Sequence, residues 1–245
     1  MNKRIALALA VGAASVGFAA LTPALATNFA VLLGSSERPD ADKARDADRK
    51  PAEVMAFAGI KPGSLVVELA PGGGYYTRLL SAAVGPKGHV YTFAGRPSAA
   101  VEAWAKGHAN VTQRVGPPTD SLAPVPVDVV WTTLNYHDFK NSKVGESDAA
   151  ANYNAAAWVV LKTGGTYIIN DHEAAPGTGT SVTQSHHRIE SAAVIREVEA
   201  AGFKLVGKSN LLRHSADNLS KPLRDSERGK TDQFVLKFVK PKANR

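Results

Sequence analysis

The sequence of 245 residues contains no cysteine and only two methionines. Without thiols the chain cannot form disulfides, bind a metal through thiolate ligands or use a cysteine nucleophile. A dense basic run is also absent: the formal charge is +7 at pH 7, but the lysines and arginines are spread along the chain. A nucleic-acid partner is therefore not predicted, because nucleic-acid binding segments concentrate their positive charge.

Long apolar runs are absent except at the N-terminus. Asn2-Lys3-Arg4 precedes residues 5–21, which are almost all apolar or small, and Ala24-Leu25-Ala26 places small residues where a signal peptidase cuts. This run is shorter than the roughly 20 residues that a membrane-spanning helix needs. We therefore predict a signal peptide over residues 1–26, cleavage after Ala26, and a periplasmic or secreted product without a stable membrane anchor.

A glycine-rich stretch organises the rest of the chain. Residues 65–69 are apolar apart from Glu68 and predict a buried strand, and residues 76–84 predict a helix. Between them lies Pro71-Gly72-Gly73-Gly74. Consecutive glycines permit positive φ angles and let a ligand lie directly on the backbone, and the helix N-terminus adds free N–H groups. This context favours a ligand site over a plain tight turn.

The stretch resembles motif I of the class I S-adenosylmethionine-dependent methyltransferases, where an acidic residue and three alternating glycines follow the first strand. Glu68, Ala70, Gly72 and Gly74 occupy those positions, with Ala70 in place of the first glycine. The resemblance implies S-adenosylmethionine as the cofactor. The predicted cofactor-binding residues are Glu68, Ala70, Gly72, Gly73, Gly74 and Asn135.

Alternating strand and helix patterns follow to the end of the chain and match the element order of that superfamily. We predict a doubly wound α/β fold with a seven-stranded, Rossmann-like methyltransferase sheet, strand order 3-2-1-4-5-7-6, with strand 7 antiparallel. The predicted strands are residues 65–69, 89–93, 111–115, 127–134, 166–170, 203–209 and 232–239. We divide the chain into the signal peptide 1–26, an N-terminal segment with a lid helix at 27–60, and a methyltransferase-like domain at 61–245.

Polar residues follow predicted strands 4 and 5. Asn135-Tyr136-His137-Asp138 comes after the first of these strands, and Asp171-His172-Glu173 after the second. The carboxyl ends of neighbouring parallel strands meet in one cleft, which residues 174–184 could close as a lid. The predicted catalytic residues are Tyr136, His137, Asp171 and His172, with His137 or His172 as the base for methyl transfer.

Several shorter segments are similar to a family of predicted exported bacterial methyltransferases. These segments are Arg49-Lys50-Pro51, Gly72–Thr77, Asn135–Asp138, Asp171-His172, His187-Arg188-Ile189 and residues 228–234. The resemblance implies an exported methyltransferase that acts on a small molecule. Basic residues before the last strand, Arg228 and Lys230 among them, could meet an anionic group on that substrate, although solvated loop charge is the more common explanation. Arg45, Asp46 and Arg49 are candidate lid residues.

An alternative is the same fold with another ligand. The place after strand 2 where methyltransferases hold the ribose with a carboxylate is Phe93-Ala94-Gly95 here, and the cofactor is made in the cytosol. Histidine and carboxylate side chains suit Zn²⁺ or Mn²⁺, and five such residues follow the strands: His137, Asp138, Asp171, His172 and His187. Their spacing fits no compact metal motif, so no metal ligand is predicted.

Overall fold

The computed structural model describes residue 29 and residues 31–227 and 229–242. The predicted signal peptide and Arg228 lie outside these residues, so the signal peptide and the role of Arg228 stay predictions. Across the described ranges, no helix combines the length and the apolar character needed to cross a bilayer.

A seven-stranded sheet forms the centre of the domain. Its strands are β1 (Leu65–Leu69), β2 (His89–Ala94), β3 (Val111–Val115), β4 (Val127–Thr133), β5 (Leu161–His172), β6 (Lys204–Ser209) and β7 (Gln233–Val239). The strand order is β3-β2-β1-β4-β5-β7-β6. All neighbouring pairs are parallel except those of β7, which is antiparallel to both β5 and β6. The predicted fold, strand order and direction of strand 7 are confirmed.

Helices cover both faces of the sheet. They are α1 (Asp40–Lys43), α2 (Asp46–Arg49), α3 (Pro51–Ala58), α4 (Tyr75–Val84), α5 (Ala99–Gly107), α6 (Tyr136–Lys140), α7 (Ala149–Val160), α8 (Thr183–His186) and α9 (Ser191–Ala200). The described residues also contain a 3₁₀ turn, Leu223–Asp225, and a small hairpin of residues 143–144 and 147–148.

Two apolar cores lie on opposite faces of the sheet because side chains alternate along each strand. Val67 and Leu69 of β1 join the core beneath α6, α7 and α9, whereas Val66 joins the core beneath α3 and α4. Both faces of the central strands are buried, as their nearly continuous apolar sequences predict. Glu68 lies on the same face as Val66, and so faces α4.

Three predicted elements differ from the structure. The N-terminal segment, predicted to carry a lid helix, contains the three short helices α1, α2 and α3. The break between α2 and α3 falls at Lys50, which has a φ of 41° before Pro51, because proline disfavours helical backbone in the preceding residue. The polar residues 135–138, predicted only to follow strand 4, cap and begin helix α6. Predicted strand 5, residues 166–170, is the longer strand β5, whose irregular start at residues 161–165 coincides with a shift in the pairing register with β4.

Candidate functional site

The glycine turn, residues 70–74, leaves its backbone open. Ala70, Gly72 and Gly74 have φ angles of 50°, 55° and 78°, so Ala70 adopts the left-handed conformation that the motif's usual glycine favours. Gly72 and Gly73 are exposed, and a Cβ built on either would meet no atom within 4 Å. The space above these two residues is therefore free for a ligand.

One backbone hydrogen bond and two side-chain hydrogen bonds hold the turn in place. The Ala70 N–H donates to the carbonyl oxygen of Phe93 at 2.8 Å, and Asn135 Nδ2 donates to the Ala70 carbonyl at 3.1 Å. Ser98 Oγ donates to the Gly72 carbonyl at 2.7 Å. The carboxyl ends of β1, β2 and β4 thus meet at the turn. Asn135, predicted to bind cofactor, here binds the backbone of the turn.

Glu68 points into the interior beneath the turn. Its Oε2 accepts a hydrogen bond from Thr77 Oγ1 at 2.6 Å, and only 4% of the residue is exposed. Burial raises the pKa of Glu68 to about 7, against smaller opposing effects of Thr77 and Arg78. In this structure Glu68 braces the first turn of α4 and titrates near neutral pH.

We expect Glu68→Gln to gain stability over the wild type as the pH rises. The folded-state pKa of Glu68 is about 7 and its ordinary value is 4.5. In the wild type, the contribution of the protonated Glu68 carboxyl to the free energy of unfolding is therefore complete below pH 4.5. It is lost as the pH rises through 7. That shift corresponds to about 3 kcal/mol at most.

Urea unfolding of both proteins at pH 5 and pH 8 measures this difference. Glu102→Gln is the control, because Glu102 is 58% exposed and pairs only with Lys106 at 3.4 Å. A difference between Glu68→Gln and wild type that stays constant with pH would show that Glu68 ionises normally.

The N-terminal segment is fastened to α4 beside the turn. Arg78 Nε donates to Asp42 Oδ2 at 2.7 Å, and Arg78 Nη2 donates to the Gly73 carbonyl at 2.8 Å. Arg38 forms a two-pronged pair with Asp46 at 2.7 and 2.8 Å, and Asp46 also accepts from the Tyr75 hydroxyl. Paired charges that are this deeply buried hold the segment in one position.

The three candidate lid residues all lie against Tyr75, the first residue of α4. The guanidinium carbons of Arg45 and Arg49 are 4.8 and 4.6 Å from the centre of the Tyr75 ring, and Asp46 accepts the hydroxyl proton. These cation–π contacts place positive charge one residue beyond the glycine turn. Movement of this segment as a lid stays a prediction.

His137 and Asp171 form a buried dyad between the ends of β4 and β5. His137 Nδ1 lies 2.8 Å from Asp171 Oδ1, and the backbone N–H of His137 donates to Asp171 Oδ2 at 2.8 Å. The His172 N–H also donates to Asp171 Oδ1. Asp171 is 0% exposed and His137 is 3% exposed. The carboxylate therefore fixes the imidazole and leaves Nε2 as its free nitrogen.

The two neighbouring histidines have pKa values displaced in opposite directions. Burial lowers the pKa of His137, but the charge and hydrogen bond of Asp171 and the charge of Asp138 raise it by more, so its net pKa is above the ordinary value. Burial lowers the pKa of His172 to about 4. At neutral pH His172 is therefore uncharged. Such divergence between adjacent groups is typical of acid–base pairs.

Tyr136 is not brought to this dyad. It is 0% exposed, its hydroxyl donates to Glu197 Oε2 at 2.9 Å, and it accepts from Asn154 Nδ2 at 2.8 Å. Consecutive residues of a helix project in directions about 100° apart, so α6 cannot aim both Tyr136 and His137 at one site. The structure places Tyr136 in the core, and its role as a catalytic residue stays a prediction.

Sequence reasoning assigned no role to the residues just before β7 that contact the neighbours of the dyad. Thr231 Oγ1 lies 3.0 Å from His172 Nδ1, and the carboxylate of Asp232 accepts from Arg213 at 2.8 Å. Arg213 Nη1 also lies 3.6 Å from Glu173 Oε2. The predicted antiparallel pairing of strand 7 beside strand 5 was a signal that could have found them. Lys230, next to Thr231, is exposed.

The predicted lid loop of residues 174–184 is tied at its base. Glu190 Oε2 accepts from the N–H groups of Gly177 and Gly179 at 3.2 and 2.8 Å, and the Ala174 N–H donates to the Ile189 carbonyl. The chain then returns to the dyad, since the His187 ring centre lies 5.5 Å from that of His137. His187 is exposed and stands over the dyad.

The strand order, the antiparallel β7 and the glycine turn together define the class I S-adenosylmethionine-dependent methyltransferase fold. A methyltransferase from Aquifex aeolicus superposes with a TM-score of 0.59 at 20% identity, over 82% of this chain and 95% of that one. Fibrillarin from Aeropyrum pernix, solved with natively bound S-adenosyl-L-methionine, gives a TM-score of 0.53 at 15% identity, over 80% and 76%. The predicted methyltransferase superfamily fold is confirmed.

One curated relative also matches. The protein-L-isoaspartate O-methyltransferase of Ignicoccus hospitalis is 34% identical over 87 residues, which are 34% of this chain and 41% of that protein. The match thus spans less than half of the relative. No protein-family model matches the chain.

Proposed function

We propose that the protein is an S-adenosylmethionine-dependent methyltransferase that acts on a small molecule. The proposal rests on one observation: a hydrogen bond connects the open glycine turn to the segment that carries His137 of the His137–Asp171 dyad. Asn135, two residues before His137, donates to the carbonyl of Ala70 in the turn. A ligand on the turn would therefore lie beside a buried, oriented imidazole.

The residues at the turn fit this cofactor. The free space above Gly72 and Gly73 accepts a ligand against the backbone, and α4 offers its N-terminus there. Beyond the end of β2, where a carboxylate is usual, Ser98 at the start of α5 and Gln113 of β3 are polar residues, and the Ser98 backbone N–H donates to Gln113 Oε1 at 2.6 Å. When bound, S-adenosylmethionine supplies a methyl group on a positively charged sulfur.

The dyad supplies the acid–base function. Asp171 holds His137 so that Nε2 can accept the proton of an acceptor hydroxyl or amine, and its negative charge stabilises the imidazolium that forms. His172 is neutral at pH 7 and lies 6.2 Å away between ring centres. It can therefore donate or accept a hydrogen bond without placing a second positive charge beside His137.

We expect Gly73→Val to lose affinity for S-adenosylmethionine while the protein stays folded. Gly73 has no positive φ and no neighbour within 4 Å of a built Cβ, so the side chain enters only the proposed ligand space. Overfilling a packed contact costs about 1–3 kcal/mol, or roughly 5- to 150-fold in affinity. Calorimetric titration with S-adenosylmethionine and its demethylated product measures the loss.

Gly107→Val is the matched control, since Gly107 also lacks a positive φ and a close neighbour but lies at the far end of α5. Equal affinities of wild type and Gly73→Val would remove the turn from the site. Wild-type protein that does not bind S-adenosylmethionine at millimolar concentration would favour the second candidate, the same fold with another ligand. That candidate is motivated by the missing carboxylate at Phe93-Ala94-Gly95.

We also propose that the protein is exported, on the basis of the N-terminal sequence alone. Cleavage after Ala26 would leave Thr27 as the first residue of the mature protein. Intact-mass measurement of protein recovered from a secreting bacterial host is expected to give this shorter chain. Recovered protein that begins at Met1 would contradict export by cleavage.

A further inference from the structure

His137 of the dyad and two neighbouring side chains, Asp138 and His187, form a cluster with the composition of a metal site. His137 Nε2 lies 3.4 Å from Asp138 Oδ1, and His187 Nδ1 lies 3.3 Å from the same oxygen. One potential ligand atom from each of these residues lies within 4.8 Å of the others. Two imidazoles and a carboxylate thus converge from α6 and from the segment after α8.

The spacing suits a first-row divalent metal. Zn²⁺ binds imidazole nitrogen and carboxylate oxygen at about 2.0–2.2 Å in tetrahedral geometry, which separates neighbouring ligand atoms by about 3.3–3.5 Å. The two distances to Asp138 Oδ1, 3.3 and 3.4 Å, agree with that separation. A small adjustment of the exposed His187 ring would complete the arrangement.

The outer shell of the cluster is already formed. His137 Nδ1 is hydrogen-bonded to Asp171, so its proton resides there and the Nε2 lone pair faces Asp138 and His187. Metal-bound histidines commonly use such a carboxylate to fix their tautomer and orientation. The neighbour of His187, Arg188, is fully buried and hydrogen-bonded to Asp217 at 2.7 Å, which anchors the backbone on that side.

The cluster also has an open side. The side chains of Asp138 and His187 are each 51% exposed, whereas that of His137 is 4% exposed. Sites with three protein ligands and one open position are typical of catalytic zinc, in which water or substrate takes the fourth position.

We propose that His137, Asp138 and His187 bind one Zn²⁺ or a similar first-row divalent metal on the solvent-exposed side of the His137–Asp171 dyad. The inference rests on the geometry of the cluster and goes beyond methyl transfer. A metal on His137 Nε2 would occupy the lone pair that accepts a proton in the proposed methyl transfer, so the metal-bound and proton-accepting forms of His137 are alternative states of the site. Mg²⁺ is expected not to bind, because it prefers a shell of oxygen ligands. The open position of the metal would receive an oxygen or nitrogen of a small molecule.

The test is metal binding by untagged, chelator-treated protein in the absence of S-adenosylmethionine. Calorimetry with Zn²⁺ is expected to show about one equivalent per chain, and Mg²⁺ no binding. His187→Ala should abolish the Zn²⁺ site, and Asp171→Asn should weaken it by about 10- to 100-fold through the outer shell. Circular dichroism melts establish that each variant is folded.

His186→Ala is the matched control, since His186 bonds Ser185 Oγ at 2.8 Å and the Ser220 carbonyl at 3.1 Å, away from the cluster. It should bind Zn²⁺ as the wild type does. The proposal is overturned if wild type binds no stoichiometric Zn²⁺, or if His186→Ala and His187→Ala lose the same affinity. If only the metal site is wrong, the protein still binds S-adenosylmethionine but not Zn²⁺. If only the proposed function is wrong, the protein binds Zn²⁺ but not S-adenosylmethionine.

Discussion

Arg188→Met is expected to destabilise the protein by about 3–5 kcal/mol, because it leaves a buried carboxylate without its cation. The guanidinium of Arg188 is 0% exposed and donates to both carboxylate oxygens of Asp217 at 2.7 and 3.1 Å. It also donates to the carbonyl oxygens of Lys221 and Glu173 and to Ser226 Oγ. The arginine thus fastens the long β6–β7 connection to the end of β5.

Chemical unfolding measures the loss, and a melting temperature lower by about 6–20 °C should accompany it. Arg224→Met is the control: Arg224 is 79% exposed, its pairing with Asp225 at 3.7 Å is loose, and its removal should cost less than about 0.5 kcal/mol. Arg188→Lys provides a milder variant should Arg188→Met not fold. A cost below 1 kcal/mol for both Arg188 variants would contradict the role of this side chain.

His137→Asn is expected to lower methyl transfer by about 100- to 10,000-fold, the usual contribution of a positioned acid–base group. Asparagine keeps an N–H donor near the place of Nδ1, so the buried Asp171 carboxylate retains that partner and its two backbone donors. The substitution removes only the Nε2 function. Stability should therefore fall far less than it does on loss of Arg188.

Transfer of a labelled methyl group from S-adenosylmethionine to the small molecules of a cell extract measures this effect. Affinity for S-adenosylmethionine, measured by calorimetry, should stay close to that of wild type, because His137 lies beyond the glycine turn. His186→Asn is the matched control. Full activity of His137→Asn would show that the His137–Asp171 dyad is structural.

The sheet was predictable because its strands are sharply bounded in the sequence. The predicted limits of β1 and β3 agree with the structure. For β1 the reason is that the turn residues Gly63 and Pro71 enclose a short, mainly apolar run. The antiparallel β7 followed from the family resemblance and not from its own apolar pattern. The adjacency of Asp171 to His137 then followed from the strand order.

The orientation of side chains at the site was not predictable in the same way. Tyr136 and His137 are neighbours in sequence, and only the docking of α6 decides that the first meets Glu197 and the second meets Asp171. Similarly, Glu68 was expected to face a ligand, but its carboxylate bonds to Thr77. Arg188 was noticed only as part of a shared segment, because full burial of an arginine depends on a loop that is distant in sequence.

The position of β7 has a consequence for how the chain can assemble. This strand pairs with β5 on one side and β6 on the other, although both are synthesised before it. Residues 204–209 therefore have no place in the sheet until residues 233–239 have emerged from the ribosome, and these long-range pairings make assembly slow. An expression fragment that stops before residue 233 would present two unpaired strand edges, and we expect it to aggregate.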